Sequence, residues 1–176
     1  ILDIKIHYTA EVNLAFEKII DTVGGIEINN PYPFTDYRYP KFGWENETCG
    51  IDVEKLKKEK GEKGESVSDE DFLCRYETIS FKEGIITLNG ENALKYARSR
   101  HSIDAGQGSD FARAKRQHLV VTGIKDKILS SSTLSNPIKL KDLYYLFQDL
   151  VKTNLTNDEF LTLLPKASSF KNIKIS

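Results

Sequence analysis

The sequence has no methionine, few cysteines and almost no net charge. These shortages limit the kinds of partner and of site that the chain can have. A net charge of −1 over 176 residues gives no field that would draw the whole molecule to nucleic acid or a membrane surface. Any affinity for phosphate must therefore come from local clustering of basic residues. No run approaches the ~20 apolar residues of a membrane-spanning helix. Length and composition predict a single globular domain with a core of its own.

The beginning of the sequence lacks the features of a natural N-terminus. Ile1 opens an apolar run that no initiator methionine and no signal peptide precede. We therefore expect the sequence to begin inside a longer polypeptide, so the missing targeting signals carry no weight.

Two cysteines, Cys49 and Cys74, flank a stretch rich in lysine and glutamate. Two thiols are too few for a zinc site without histidine, and neither belongs to a C-x-x-C pair. A disulfide closing the base of this stretch is one interpretation if the compartment is oxidising, and two unpaired thiols are the other. Spacing does not decide between them.

Apolar spacing predicts short alternating elements at the start of the chain. A strand is expected over residues 1–8, followed by a helix that Asn13 caps and that ends at Val23. Two glycines then stop the helix, and residues 26–28 resume as a strand.

The next part of the chain is expected to be irregular. Three prolines argue against regular structure in residues 29–40. Residues 41–73, with a charged run at their centre, are expected to form a mobile loop insertion.

Regular structure is predicted again from residue 76. Residues 76–81 and 85–88 form strands separated by a hairpin signal, and Asn89 caps a helix that contains both arginines of the string YARSR. Ser109 or Asp110 caps a long helix to about residue 130. Three elements complete the expected order: a helix over residues 140–152, a short helix opened by the capping box of Thr156 and Glu159, and a strand over residues 170–175.

The alternation of strands and helices predicts an α/β fold, with a central mixed sheet and helices packed on its faces. On the long helix, the apolar side chains expected to point toward the core are Phe111, Val121, Ile124 and Ile128.

Arginine is concentrated in one segment, since four of the six arginines are Arg98, Arg100, Arg113 and Arg116. Arg98 and Arg100 would diverge by roughly 200° on a continuous helix, so the helix must end there if both are to face one ligand. Arg113 and Gln117 share a helix face, and Arg113 lies in a first turn that already favours an anion. Guanidinium groups bind phosphate oxygens in bidentate fashion, so the segment predicts a pyrophosphate site.

Acidic residues beside the arginines allow a second interpretation. Asp104 and Asp110 are close in sequence, and surface salt bridges to the arginines would also explain the cluster. Asp36, Asp104 and Asp110 could also serve as a catalytic base, but a loop aspartate is more often a turn or cap residue. His101, beside Arg100, could contact a substrate.

Aromatic residues gather just before the charged run. Phe42, Trp44 and the tyrosines of residues 32–39 could line a sugar or lipid channel. Because they lie beside prolines, we favour the interpretation that they anchor a loop.

The string LNGENALKYARSRHSIDAGQGSDFARAKRQ, residues 88–117, resembles the signature of the LytR–CpsA–Psr family, also called cell envelope-related transcriptional attenuator domains. AFEKIIDTVGGIEI and DYRYP resemble further blocks of that family, and the resemblance covers most of residues 1–130. It implies an α/β fold and an enzyme that transfers a glycopolymer from a polyprenyl pyrophosphate carrier to peptidoglycan or a similar wall acceptor.

The resemblance also implies roles for individual residues. Arg98, Arg100, Arg113 and Gln117 match the family residues that hold the lipid pyrophosphate, and the three arginines are the implied catalytic residues. Arg116 aligns with a basic position of less certain role, which we include among the substrate-binding residues.

One part of the family pattern has no counterpart here. The membrane anchor, an arginine–aspartate strand end and the aspartates that bind Mg²⁺ would all precede Ile1. We expect residues 1–176 to be a partial, catalytically incomplete domain on the extracytoplasmic face of a bacterial membrane, completed by a partner chain or by the proteolysed remainder of the domain. No metal ligands are assigned. A non-catalytic module that binds polyprenyl phosphate is the alternative, and nucleic acid is not an expected partner.

Overall fold

A computed structural model of the chain describes residues 12–104 and 106–150. The four strands of this part are β1 (Ile26–Asn30), β2 (Phe34–Pro40), β3 (Tyr76–Phe81) and β4 (Gly84–Leu88). The helices are α1 (Val12–Val23), α2 (Val53–Glu62), α3 (Gly90–Arg98), α4 (Asp110–Ile128), α5 (Ser131–Leu134) and α6 (Pro137–Leu150), with 3₁₀ turns at Asp69–Asp71 and Leu73–Arg75. The predicted α/β class is confirmed.

The strands pair in a nested order, β1 with β4 and β2 with β3, both antiparallel. Among the described residues they form two two-stranded sheets. The predicted hairpin between β3 and β4 is wrong. Its connection leads from one sheet to the other, and the Asn30 side chain at the end of β1 donates to the carbonyl of Lys82 there, at 2.8 Å.

The prediction that residues 29–40 are irregular is wrong for β2. Pro33 precedes the strand and Pro40 is its last residue. A proline at a strand end removes no hydrogen bond from the ladder, so β2 forms despite both of them.

The core lies between the β1–β4 sheet and helices α1, α3 and α4. Its fully buried side chains include Ile20, Val23, Ile26, Tyr96 and Val120. A cluster of three rings, Phe34, Phe81 and Tyr96, joins the β2–β3 sheet to α3 with centroid separations of 5.1 to 5.6 Å.

Tight packing places α1 against the start of α3. A side chain at Gly90 would put its Cβ 2.4 Å from the carbonyl oxygen of Glu17, so only glycine fits there. The Asp21 carboxylate accepts a hydrogen bond from the Gly90 N–H at 2.7 Å. The predicted glycine stop after α1 is also confirmed, since Gly24 and Gly25 both have positive φ.

Several local predictions are tested by the helix ends. Asn89 caps α3 and Ser109 caps α4, as predicted. Asn13 lies inside α1, so its predicted role as the cap is wrong. The elements expected over residues 1–8, 156–159 and 170–175 lie outside the described residues.

The predicted inner face of α4 is half right. Ile124 and Ile128 pack against the core, but Phe111 and Val121 are exposed. The buried positions of α4 are instead Ala112, Arg116, Val120 and Gly123, because β1 approaches this face so closely that a side chain at Gly123 would crowd Ile28.

Residues 41–75, hereafter the lobe, connect β2 to β3 and correct the prediction of a loop over residues 41–73. The charged run forms α2 because the Asp52 side chain caps its first turn, and a partly buried ion pair between Lys60 and Asp71 (2.7 Å) closes the segment behind it. No residue of α2 is buried. A disulfide joins Cys49 to Cys74, so the open question about these cysteines is answered in favour of the bonded form.

Opening the disulfide should loosen the lobe while leaving the core folded. The closed loop spans 25 residues, for which chain entropy predicts a loss of about 3 kcal/mol in the free energy that keeps the lobe ordered. In the variant carrying Cys49→Ser and Cys74→Ser, trypsin should cut at the lysines of α2 roughly tenfold faster or more. Cleavage at the lysines of α4 in the same digest is the internal control, and an unchanged rate in α2 would contradict the expectation.

Candidate active site

A cleft of about 1250 Å³ lies between α3, α4, the β2–β3 sheet and the start of the lobe. Arg98, Arg100, Arg113 and Gln117 all line this cleft, so the residues predicted to bind phosphate do come together. They are called the arginine end below. Their roles toward a ligand stay predictions.

The end of α3 makes this convergence possible. The helix stops at Arg98, and Ser99 takes an extended conformation with φ −50° and ψ 134°. The backbone therefore turns out of the helix between Arg98 and Arg100, as both must face one cleft. The end that convergence required is therefore observed, whereas the prediction that this helix also contains Arg100 is wrong, since α3 ends at Arg98.

One buried carboxylate, that of Asp36 on β2, determines the conformation of this turn. It accepts hydrogen bonds from the Ser99 hydroxyl (2.7 Å), from the N–H groups of Arg100 (3.2 Å) and His101 (3.1 Å), and from the N–H of Arg38 (2.9 Å). Its side chain is 0% exposed. Burial alone would raise the pKa of Asp36, but the hydrogen bonds from Ser99 and the three N–H groups outweigh it and hold that pKa below its usual value.

Arg116 supports the same turn through its backbone carbonyls, which corrects its assignment to substrate binding. It is 2% exposed and donates to the carbonyls of Tyr96 (3.0 Å), Ser99 (2.6 Å) and Gln107 (2.8 Å). Its guanidinium also lies 4.6 Å from the ring centroid of Phe34. Each of its three guanidinium nitrogens donates to a backbone carbonyl, so Arg116 positions the backbone that carries the other arginines.

The interior network continues to β1 through Tyr96. Burial raises the pKa of Tyr96 to about 12, so its hydroxyl keeps the proton and donates it to the Asn30 side chain at 2.8 Å. Tyr96 thus links α3, Arg116 and the sheet in one hydrogen-bonded unit.

Arg100 and Arg113 share one acidic neighbour. The Asp110 carboxylate lies 3.5 Å from a nitrogen of Arg100 and 3.0 Å from one of Arg113. The salt-bridge interpretation is therefore right for this pair, yet Asp110 is 77% exposed. An exposed ion pair contributes little, so an incoming phosphate could replace this carboxylate at small cost. Arg98 makes no hydrogen bond or ion pair with any described residue.

Neither of the other candidate bases is free to act as one. The four hydrogen bonds to Asp36 occupy its oxygens. Asp104 accepts from the Thr35 N–H at 2.8 Å and from the Ser102 hydroxyl at 3.2 Å, which makes it a turn residue. The importance of Asp36 escaped the sequence analysis, although its place in the motif DYRYP was a signal that could have found it.

Aromatic side chains line the cleft at the start of the lobe. Phe42 and Trp44 remain 99% and 45% exposed, so they are not buried as loop anchors would be. The His101 side chain also lines the cleft, and its contact with a substrate stays a prediction.

The part of the chain that the structure describes shows neither a metal-binding cluster nor a helix that could cross a membrane. It contains no group of three or more His, Cys, Asp or Glu side chains arranged to hold a metal ion. None of its helices combines the length and apolar character that a bilayer span requires.

Comparison with known proteins points to one family. The model of the LytR_cpsA_psr family matches residues 1–176. Two proteins named polyisoprenyl-teichoic acid–peptidoglycan teichoic acid transferase TagU, from Bacillus licheniformis and Bacillus subtilis, are each 30% identical, over 159 and 158 residues. These matches cover 90% and 89% of this chain and 37% of either relative, so the chain spans less than half of their length.

Solved structures give the same picture of the fold. TagV of B. subtilis aligns with a TM-score of 0.50 and 27% identity, covering 89% of this chain and 43% of that one. A LytR-Csp2A-Psr enzyme from Actinomyces oris aligns with a TM-score of 0.51 at 20% identity, covering 89% and 47%, and shares the fold.

Asp36→Asn should destabilise the fold in a pH-dependent way. The amide presents N–H where donors now converge, which should cost about 2–3 kcal/mol at neutral pH. Because the folded-state pKa lies below that of the unfolded chain, the stabilisation by the Asp36 carboxylate is complete above about pH 4 and is lost as the pH falls through the folded-state pKa. Urea unfolding at pH 7 and at pH 3 measures both values, and the gap between the proteins should shrink at pH 3.

The matched control is Asp69→Asn, which alters a carboxylate that is 78% exposed and paired with Arg75. Its free energy of unfolding should change by less than about 0.5 kcal/mol at either pH. An equally small effect of Asp36→Asn would refute the structural role given to Asp36.

Proposed function

The chain belongs to the LytR_cpsA_psr family, and we propose that it forms part of an enzyme that transfers a glycopolymer from a polyprenyl pyrophosphate carrier to peptidoglycan or a similar cell-wall acceptor. The names of its TagU relatives support this class of donor and acceptor. The place of action would be the extracytoplasmic face of the bacterial membrane, with the chain as part of a membrane-anchored protein.

The observation that carries the proposal is the convergence of three arginines on one cleft. Arg98, Arg100 and Arg113 come from the end of α3, the turn after it and the first turn of α4. Arg98 makes no hydrogen bond or ion pair with any described residue, so contacts within the fold do not account for its position in the cleft. Guanidinium groups match phosphate oxygens in geometry and charge, and Arg113 adds the favourable field of a helix N-terminus.

The reaction would be a phosphoryl transfer. An acceptor hydroxyl attacks the phosphorus that carries the glycan, and the bond from that phosphorus to the bridging oxygen breaks. The glycan and its phosphate are then bonded to the acceptor oxygen, and the hydroxyl proton passes to solvent. Polyprenyl phosphate is the leaving group and keeps the bridging oxygen. Negative charge grows on the bridging oxygen, and arginines fixed beforehand stabilise it without reorganising.

The Mg²⁺ that the family resemblance implies stays a proposal without ligands. The described residues offer no cluster of acidic side chains that fits the ion. The carboxylates of Asp36 and Asp104 are hydrogen-bonded within the fold, so no step is assigned to a metal or to a base of these residues.

Arg98→Ala and Arg113→Ala in the full-length protein should each lower the rate of polyprenyl phosphate release from the lipid-linked glycan. Loss of a fixed donor to a developing charge costs about 10²–10³-fold. Arg38→Ala is the matched control, because Arg38 is also a half-exposed arginine, pairs with Glu70 and does not line the cleft. Its rate should stay within about twofold of the unmodified protein.

The same assay separates transfer from simple binding. If the unmodified protein binds the lipid pyrophosphate through these arginines but releases no polyprenyl phosphate, the chain belongs to a binding module. If both arginine variants release it at the normal rate, the proposed site is wrong.

Asp110→Asn should tighten the binding of inorganic pyrophosphate by a few-fold, because it removes the carboxylate that competes for Arg100 and Arg113. Isothermal titration at low salt measures the affinity. Asp126→Asn, which changes an exposed carboxylate on the same helix, is the control and should leave the affinity unaltered. Weaker binding by Asp110→Asn would mean that Asp110 holds the arginines in place.

A further inference from the structure

The two ends of the cleft differ in chemistry. The arginine end surrounds the turn that Asp36 holds. From Asp36, β2 runs four residues to Pro40, a distance of about 13 Å along a strand. The chain then enters the lobe, where Phe42, Trp44 and Glu45 line the same cleft and form what we call the aromatic end.

Lys41 and the backbone near it position Trp44 at the aromatic end. The Lys41 ammonium lies 4.6 Å from the centroid of its indole ring and also donates to the carbonyl of Cys74 at 3.0 Å. The backbone N–H of Trp44 donates to the carbonyl of Lys41 at 3.3 Å. The Lys41 ammonium thus connects the indole ring to the backbone of Cys74, and nearly half of Trp44 stays exposed.

The lining of the cleft combines apolar side chains, such as those of Pro40 and Leu94, with carboxylates. Glu45, Glu77 and Glu91 line the cleft together with Phe42 and Trp44. A polyprenyl chain lying there would strip water from these carboxylates and offer no hydrogen bond in return, which is costly. A sugar ring combines an apolar face, which can stack on indole, with hydroxyls that donate to carboxylates.

Lys95 extends this polar surface toward the arginine end. Its ammonium lies 2.8 Å from Glu77 and 2.7 Å from Glu91, and all three residues line the cleft. Glu91, Lys95 and Arg98 follow one face of α3 at intervals of four and three residues. The floor of the cleft therefore carries hydrogen-bonding groups from the aromatic end to the arginines.

We propose that the aromatic end is a carbohydrate subsite, in which a pyranose ring stacks on Trp44 while its hydroxyls donate to Glu45 and neighbouring carboxylates. This deepens the proposed function and rests on it for the source of the sugar. That source is either the glycan attached to the pyrophosphate or the glycan strand of the acceptor, and both have the same ring chemistry.

Trp44 is the only tryptophan of the chain, so its fluorescence reports on the subsite directly. Three soluble probes separate the ligand classes: UDP-N-acetylglucosamine as a sugar pyrophosphate, the peptidoglycan disaccharide as an acceptor sugar, and geranyl pyrophosphate as a prenyl pyrophosphate without sugar. In the full-length protein, the signal lost in Trp44→Phe identifies the contribution of Trp44. We expect at least one sugar probe, and not geranyl pyrophosphate, to change this signal.

Variants then test the contact by calorimetry. Trp44→Ala should weaken binding of the sugar probe about tenfold, Trp44→Phe should retain most of it, and geranyl pyrophosphate should bind all three proteins equally. Tyr37→Ala is the matched control, since Tyr37 is an aromatic residue of similar exposure that lies outside the cleft lining.

The pattern across probes distinguishes the two sources. If the sugar belongs to the donor, both Trp44→Ala and Arg113→Ala should bind UDP-N-acetylglucosamine more weakly. If it belongs to the acceptor, only Trp44→Ala should bind the peptidoglycan disaccharide more weakly.

Two results would overturn the subsite. One is the absence of any effect of Trp44→Ala on either sugar probe, and the other is a response of Trp44 to geranyl pyrophosphate in place of sugar. Sugar binding that depends on Trp44 would stand even if Arg98→Ala and Arg113→Ala left transfer unchanged. In that case the proposed phosphoryl transfer would fail and the subsite would not.

Discussion

The burial of the Asp36 carboxylate is the constraint on which the rest of the site depends. A carboxylate without exposure to water needs a donor for each oxygen, and the donors available to Asp36 are the Ser99 hydroxyl and the N–H groups that follow the end of α3. Those N–H groups can reach one acceptor only if the helix has stopped. The cost of burying the charge is thereby coupled to the turn that spreads Arg98 and Arg100.

Arg116 completes this arrangement with a buried charge of opposite sign. Its guanidinium holds the carbonyls of the same turn, so the backbone of Ser99 is bound through its side chain to Asp36 and through its carbonyl to Arg116. Arg113 and Arg116 are only three residues apart on α4, yet their structural roles differ. Arg116 is an internal brace, whereas Arg113 is left with an exposed carboxylate that an anion can replace.

Features with local causes were predictable from the sequence. Helix caps and stops depend on neighbouring residues, and this holds for Asn89, Ser109 and the glycines after α1. The clustering of arginines is visible in the sequence itself. The pairing of β2 with β3 was not predictable, because prolines argue locally against a strand whose partner lies about 40 residues away. The distinction between Arg113 and Arg116 also needed the structure. Their positions differ by only about 60° around the helix, and the ring of Phe34 and three distant carbonyls decide which one is buried.

Because β2 and β3 pair with each other, the lobe is a single insertion between two adjacent strands. Pro40 and Tyr76 lie opposite each other in adjacent strands, so the 35 residues between them leave and re-enter the domain at almost the same point. The entropy of closing such an excursion grows only with the logarithm of its length. Evolution can therefore lengthen, shorten or replace this segment without disturbing the sheet, and the disulfide ties Cys49 to its end at Cys74. The wall of the cleft that the lobe forms can therefore change between relatives. The turn that carries Arg98 and Arg100 is instead held by the buried side chains of Asp36 and Arg116.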